Sequence, residues 1–259
     1  MAPATPGWHG KLPSLGDFAS RRLDPTFLEF WDAWLADGME ALRASAPGTW
    51  LEAYLQGPSW RFLLLPGVLP GALGEQAWAG VLMPSVDRVG RYFPFTVVQP
   101  LGVAAALPPL AAVWPWLDRL DELAADALRD DWTVERVEAE LVRLPPPAAS
   151  TTGPAVAETD DDGLPTGVLQ AQALAADVDA PGWIALAAQR LWIAHEQGTS
   201  FWTAQAEGEA PRLCRVQGLP HAAALATLLG LDSAVGAAPS VATPSDGDAP
   251  TLPPRHEDR

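Results

Sequence analysis

The chain has 259 residues, 48% hydrophobic and 19% charged, with a formal net charge of -16 and a pI near 4.4. That apolar content fills one sizeable core, or at most two small ones. Acids outnumber bases 32 to 16, which argues against a nucleic-acid surface, because tracking phosphates takes clustered Lys and Arg.

Residues 8–12, WHGKL, predict a short strand ending at Pro13, and the loop PSLGDFASRRL follows with Gly16 and Asp17 as turn formers. Asp24 and Pro25 then signal a helix start: a carboxylate N-cap, and a proline whose missing N–H costs nothing at the first helical position. Phe27, Phe30, Trp31, Trp34, Leu35, Gly38 and Leu42 share one face at helical spacing, while Glu29, Asp32, Ala33 and Glu40 occupy the other. This helix ends before Pro47. The stretch TWLEAYLQG is a second short helical or irregular piece that stops at Gly57 and Pro58. Three strand-like runs follow at 60–66, 77–84 and 92–99. Their connections are short, which favours antiparallel neighbours, since parallel pairing needs a longer crossover.

After Pro108 and Pro109 the spacing becomes helical over 110–129 and 133–143, with Thr133 placed to cap the second helix. Residues 145–182 are rich in Pro, Ala, Ser and Thr and carry Asp160, Asp161 and Asp162, so they predict a flexible acidic insertion. A helix closed by Gly198 comes next, then strands over TSFWTAQ and PRLCRVQGL, and a closing helix over PHAAALATLLG. Residues 232–259 predict a disordered tail. The expected fold is a single α+β domain over 7–231: a central antiparallel or mixed sheet of five to six strands, flanked by helices.

Few residues offer chemistry. The N-terminus lacks the basic and apolar regions of a signal peptide, and the apolar stretches are broken before the roughly 18–20 residues of a membrane span, so a cytoplasmic protein is expected. Cys214 is the sole cysteine, which excludes an internal disulfide; within an apolar strand it is best read as a small core residue. Gly10-Lys11 imitates part of a phosphate loop, but Thr5 stands where the first glycine belongs and no Ser or Thr follows Lys11. The histidines, His9, His195, His221 and His256, are widely spread and none is paired at i, i+4. TDDDG lacks the alternating acids of a calcium loop. No G-x-S-x-G occurs, and Ser14 and Ser85 each follow a proline. No enzyme, cofactor or metal is therefore expected. Twelve Trp against two Tyr predict bulky core and interface residues whose N–H groups need partners.

One polar island stands out: Asp87, Arg88 and Arg91 sit between the apolar runs 77–84 and 92–99. Three readings are open for it. It is an ordinary turn locked by ion pairs, a docking surface whose arginine forks grip a partner's carboxylate or phosphate, or a ligand or catalytic site.

The stretches GWHGKLPSLGDFASRRL, FLEFWDAWL, WRFLLLPGV and WAGVLMPSVDRVGRYFPFTV resemble, in order and spacing, the TagF (ImpM-like) family of type VI secretion system-associated proteins. The resemblance is dense from Gly7 to Pro100 and resumes at SFWTA and QGLP, where Phe201 departs from the family's pattern but keeps an aromatic ring. It implies a non-enzymatic cytoplasmic accessory of the contractile machine. More finely, it implies a post-translational repressor that binds a forkhead-associated-domain scaffold protein and opposes activation by a threonine kinase. Some members are fused to a PP2C-type phosphatase, for which nothing in this chain fits. The candidate partner-binding residues are Lys11, Ser14, Asp17, Phe18, Arg21 and Arg22 in the first loop, and Ser85, Asp87, Arg88 and Arg91 in the second. The alternatives are a small-ligand or enzymatic domain using the Asp87, Arg88 and Arg91 loop, or a structural part of the secretion apparatus.

Overall fold

Two walls of tryptophan and aliphatic side chains enclose a sheet that is wholly antiparallel. The computed structural model describes residues 5–104, 107–147, 180–205 and 211–230. Strands β1 (Gly7–Lys11) and β2 (Phe18–Arg21) precede helices α1 (Pro25–Ser45) and α2 (Trp50–Leu55). Strands β3 (Trp60–Leu64), β4 (Ala77–Met83) and β5 (Phe95–Gly102) follow, then α3 (Leu110–Arg129), α4 (Val134–Arg143) and α5 (Ala180–His195). The described chain closes with β6 (Thr199–Ala204), β7 (Arg212–Gln217) and α6 (Ala222–Leu228). The sheet order is β2-β1-β5-β4-β3-β6-β7.

The α+β class and the flanking helices are as expected, but the sheet has seven strands rather than five or six, and no parallel pair. The additional strand is β2, which the sequence places in a loop. It is only four residues long and lies at the sheet edge with no buried residue, so it has no alternating apolar signature to detect. The last of the three central strands begins at Phe95 instead of Tyr92, after Pro94, which has no N–H for the ladder. Helix α5 starts at Ala180, inside the range assigned to the insertion. Most of that insertion, residues 148–179, and the tail from 231 lie outside the described residues.

Period-two alternation sends successive strand residues to opposite faces. Trp8, Ala79, Val81, Phe95, Val97 and Phe201 join Val113, Trp116, Leu117 and Leu120 of α3 and Val137 and Leu141 of α4. Phe62, Leu64, Trp78, Leu82, Val98 and Trp202 meet Phe27, Trp31, Leu35 and Met39 of α1, with Leu225 and Leu228 of α6. Asp24 caps α1, accepting from the Thr26 amide at 2.8 Å, and Thr133 caps α4. Most buried indole N–H groups find acceptors: Trp31 donates to Thr96 Oγ1, Trp60 to the Leu228 carbonyl and Trp202 to Ser200 Oγ. Cys214 packs against the margin of the α1-side core and not within it. It is half-buried on edge strand β7, where covered and exposed residues alternate.

Candidate functional site

At one end of the sheet, β1 finishes at Lys11 and the turn before β5 carries Asp87. The two are buried together, with Lys11 Nζ 2.7 Å from Asp87 Oδ2. Arg91 Nε donates to the same oxygen at 2.8 Å, and the amides of Val89 and Arg91 donate to Oδ1 at 3.0 and 2.9 Å. These four donors occupy about all the lone-pair sites of a carboxylate. Burial alone would push the Asp87 carboxyl up, but Lys11, the amides and the Arg91 guanidinium outweigh it and hold the group well below the usual carboxylate range.

Asp87 thereby shapes its own turn. Its amide donates to the Arg91 carbonyl and its carbonyl accepts from Gly90, whose φ of +83° is the left-handed conformation that glycine adopts without strain. Ser85 locks the turn to the sheet. Its hydroxyl donates to the Lys11 carbonyl at 2.7 Å, while Tyr54 Oη accepts from its amide and donates to its carbonyl. Burial pushes the Tyr54 hydroxyl up, so it stays protonated for that donation. The approach of the two segments is close enough that a Cβ at Gly10 would collide with the Pro94 carbonyl oxygen.

The first loop is bound to this turn by its backbone. The Arg88 amide donates to the Leu15 carbonyl at 2.8 Å, and the Arg91 guanidinium donates to the Gly16 carbonyl while lying 3.5 Å from Asp17. Phe18 closes the assembly. Its ring lies 3.9 Å from Lys11 Nζ, stacks on His9 and meets Phe93 edge-on, yet remains 45% exposed.

The structure therefore brings Lys11, Asp17, Phe18, Ser85, Asp87, Arg88 and Arg91 together, but not in one role. Lys11, Ser85 and Asp87 are buried and spent on internal contacts, leaving Asp17, Phe18, Arg88 and Arg91 at the surface. Ser14, Arg21 and Arg22 make other contacts. Ser14 Oγ donates to the Trp132 carbonyl at 2.7 Å, tying the loop to the corner between α3 and α4. Arg22 donates to the Pro6 carbonyl and to Glu138, which also accepts from Trp8 Nε1 at 2.6 Å. Arg21 donates to the Ser20 carbonyl at 2.8 Å.

Sequence reasoning missed Tyr54, whose reach across the fold leaves no local trace, and Val89, which is 62% exposed beside Arg88. Val89 carried a signal: it is an apolar residue in a polar turn. Also missed was the His9–Asp32 pair, with 3.0 Å between His9 Nε2 and the carboxylate. Among the described residues, no group of three or more His, Cys, Asp or Glu is arranged to hold a metal ion, and no helix is long and apolar enough to cross a membrane.

Comparison with known proteins places this geometry in context. No curated protein matches the chain. The crystal structure of PA0076 from Pseudomonas aeruginosa PAO1 is similar to it, with 35% identity and a TM-score of 0.67 over 89% of this chain and 96% of that one. A family model described as the TagF N-terminal domain, type VI secretion system-associated, matches residues 7–144, which include both loops of the site. The chain thus belongs to the TagF N-terminal domain family of type VI secretion-associated proteins.

Proposed function

We propose that this chain is a non-enzymatic, cytoplasmic regulator of type VI secretion that represses assembly post-translationally by binding a forkhead-associated-domain component. The family supplies the association with the secretion system. The observation that carries the binding reading is the buried Lys11–Asp87 pair, which joins two loops distant in sequence into one rigid surface. A buried ion pair contributes little net stability because of its desolvation cost, so its clearest effect here is to fix the geometry of the residues around it. Those residues include Phe18 and Arg88, of the aromatic and arginine types that dominate protein–protein contacts. The Asp87 carboxylate has its lone pairs occupied by protein donors, which disfavours its use as a general base or a ligand.

Deletion in the native host, scored by secretion with and without the cognate threonine kinase, tests the repressor reading. Derepressed secretion is expected, and lost secretion would sink it. A pull-down against the forkhead-associated-domain protein tests the partner, with Arg88→Ala expected to weaken capture while the protein stays folded. A structural component of the machine would instead be retained stoichiometrically in assembled particles, where a repressor is absent.

A further inference from the structure

The two loops reverse the charge of the molecule. Segments 8–22 and 85–91 hold five bases (Lys11, Arg21, Arg22, Arg88 and Arg91) and two acids (Asp17 and Asp87), in a chain with 16 bases and 32 acids. Asp87 is already neutralised by Lys11 and Arg91. Arg88 is exposed, and among the described residues its guanidinium has no hydrogen-bond or ion-pair partner, although its backbone is fixed by Leu15. The guanidinium lies over Gly16: a Cβ there would sit 3.6 Å from one of its nitrogens and 4.0 Å from Val89. Arg88 is therefore an exposed cation on a fixed backbone beside Val89, and the exposed ring of Phe18 stands on the facing loop two residues beyond Gly16.

From this juxtaposition we infer that the surface formed by Phe18, Arg88, Val89 and Arg91 takes a carboxylate-bearing, partly apolar segment of a partner protein. This rests on the binding reading above and names the chemistry the partner must present. An arginine fork matches a carboxylate with two parallel hydrogen bonds, and the flanking phenyl and isopropyl groups exclude water that would otherwise screen the pair. The net charge of -16 repels a polyanion such as nucleic acid at long range, whereas a short acidic segment meets mainly the unpaired Arg88 guanidinium within a Debye length of about 8 Å.

Contact through side chains is favoured over strand addition. The free edge beside Phe18 is partly occupied, since the Phe18 amide donates to the Asp17 carboxylate at 2.8 Å and the Ser20 carbonyl accepts from Arg21. Residues two apart on a strand point their backbone groups the same way, so both groups lie on the side away from β1 and are capped there.

The test titrates the full chain with a fluorescein-labelled peptide of alternating glutamate and leucine, a lysine–leucine counterpart and a single-stranded oligonucleotide. The forkhead-associated-domain protein is titrated in parallel. The acidic peptide is expected to bind more weakly as salt rises, and Arg88→Glu to weaken it about tenfold or more. Val89→Asp is a second variant expected to weaken it. Neither side chain has an internal partner to lose, so both variants should keep the wild-type melting temperature. Unchanged affinity in both variants, equal binding of the lysine peptide or the oligonucleotide, or self-association abolished by Arg88→Glu would overturn the inference. If the acidic peptide depends on Arg88 but the forkhead-associated-domain protein does not bind, the inference stands and the proposed partner falls. If that protein binds with an affinity indifferent to Arg88→Glu and to salt, the partner stands and the inference falls.

Discussion

Lys11 and Asp87 lie 76 positions apart in sequence and 2.7 Å apart in space, with both side chains removed from water. Removing Lys11 leaves the buried Asp87 carboxylate with Arg91 as its remaining cationic partner, so Lys11→Met is expected to lower the melting temperature by about 5 °C. Calorimetry checks this, and a change within a degree or two would contradict the account. Adding Asp87→Asn should recover part of the loss, because an amide carries no charge to strand. The same residue sets an acid limit. The Asp87 carboxyl is held below its ordinary range in the folded state, so its contribution is fully present above the unfolded value near 3.8 and is lost as pH falls through the lower folded value. The stability difference between wild type and Asp87→Asn should therefore shrink as pH is taken below about 4, measured by urea denaturation across pH. A difference that stays constant in that range would mean Asp87 is not the depressed group.

At the scale of elements, the crossing of α1 over α6 is set by a missing side chain. A Cβ at Gly38 would fall 2.6 Å from Leu225 Cγ, and Leu225 is fully buried. Gly38→Ala should thus destabilise by about 1–3 kcal/mol in denaturant unfolding, despite alanine's better helix propensity. A stabilised variant would show that the two helices do not pack this closely. The sequence makes α1 legible from its Asp-Pro start and the spacing of Phe27, Trp31 and Leu35, because these are local signals with a helical period. It places Gly38 on the apolar face but is silent on its partner, which lies almost two hundred residues away. Strand β2 fails for a related reason: edge pairing with β1 creates it, and four residues with none buried carry no period of their own.

For the whole molecule, the span matched by the family, 7–144, is not a self-sufficient unit. Strand β6 pairs with β3 from beyond that span, placing Phe201 in one core and Trp202 in the other. Helix α6 brings Leu225 and Leu228 against the α1 side. Ending the chain after Leu144 would leave β3, with Trp60, Phe62, Leu63 and Leu64, as an open apolar edge. That fragment is expected to aggregate, and gel filtration that returned a folded monomer would refute the prediction. The position of the site follows from the same topology. Because β1 lies between β2 and β5, the end of β1 meets both the start of β2 and the turn that leads into β5, and only there do the two charged loops touch.

By itself, the sequence determined the α+β class, the long helices, six of the seven strands and the family, since each rests on local periodicity, capping or contiguous motifs. Only the tertiary structure decided what the charged residues do. Asp87, Arg88 and Arg91 look alike in a string, but a charge turned inward must find partners and one turned outward need not, and that direction depends on strand register and distant neighbours. Asp87 is consumed in holding the turn, Arg91 divides its donors between Asp87 and the Gly16 carbonyl, and Arg88 is left facing outward.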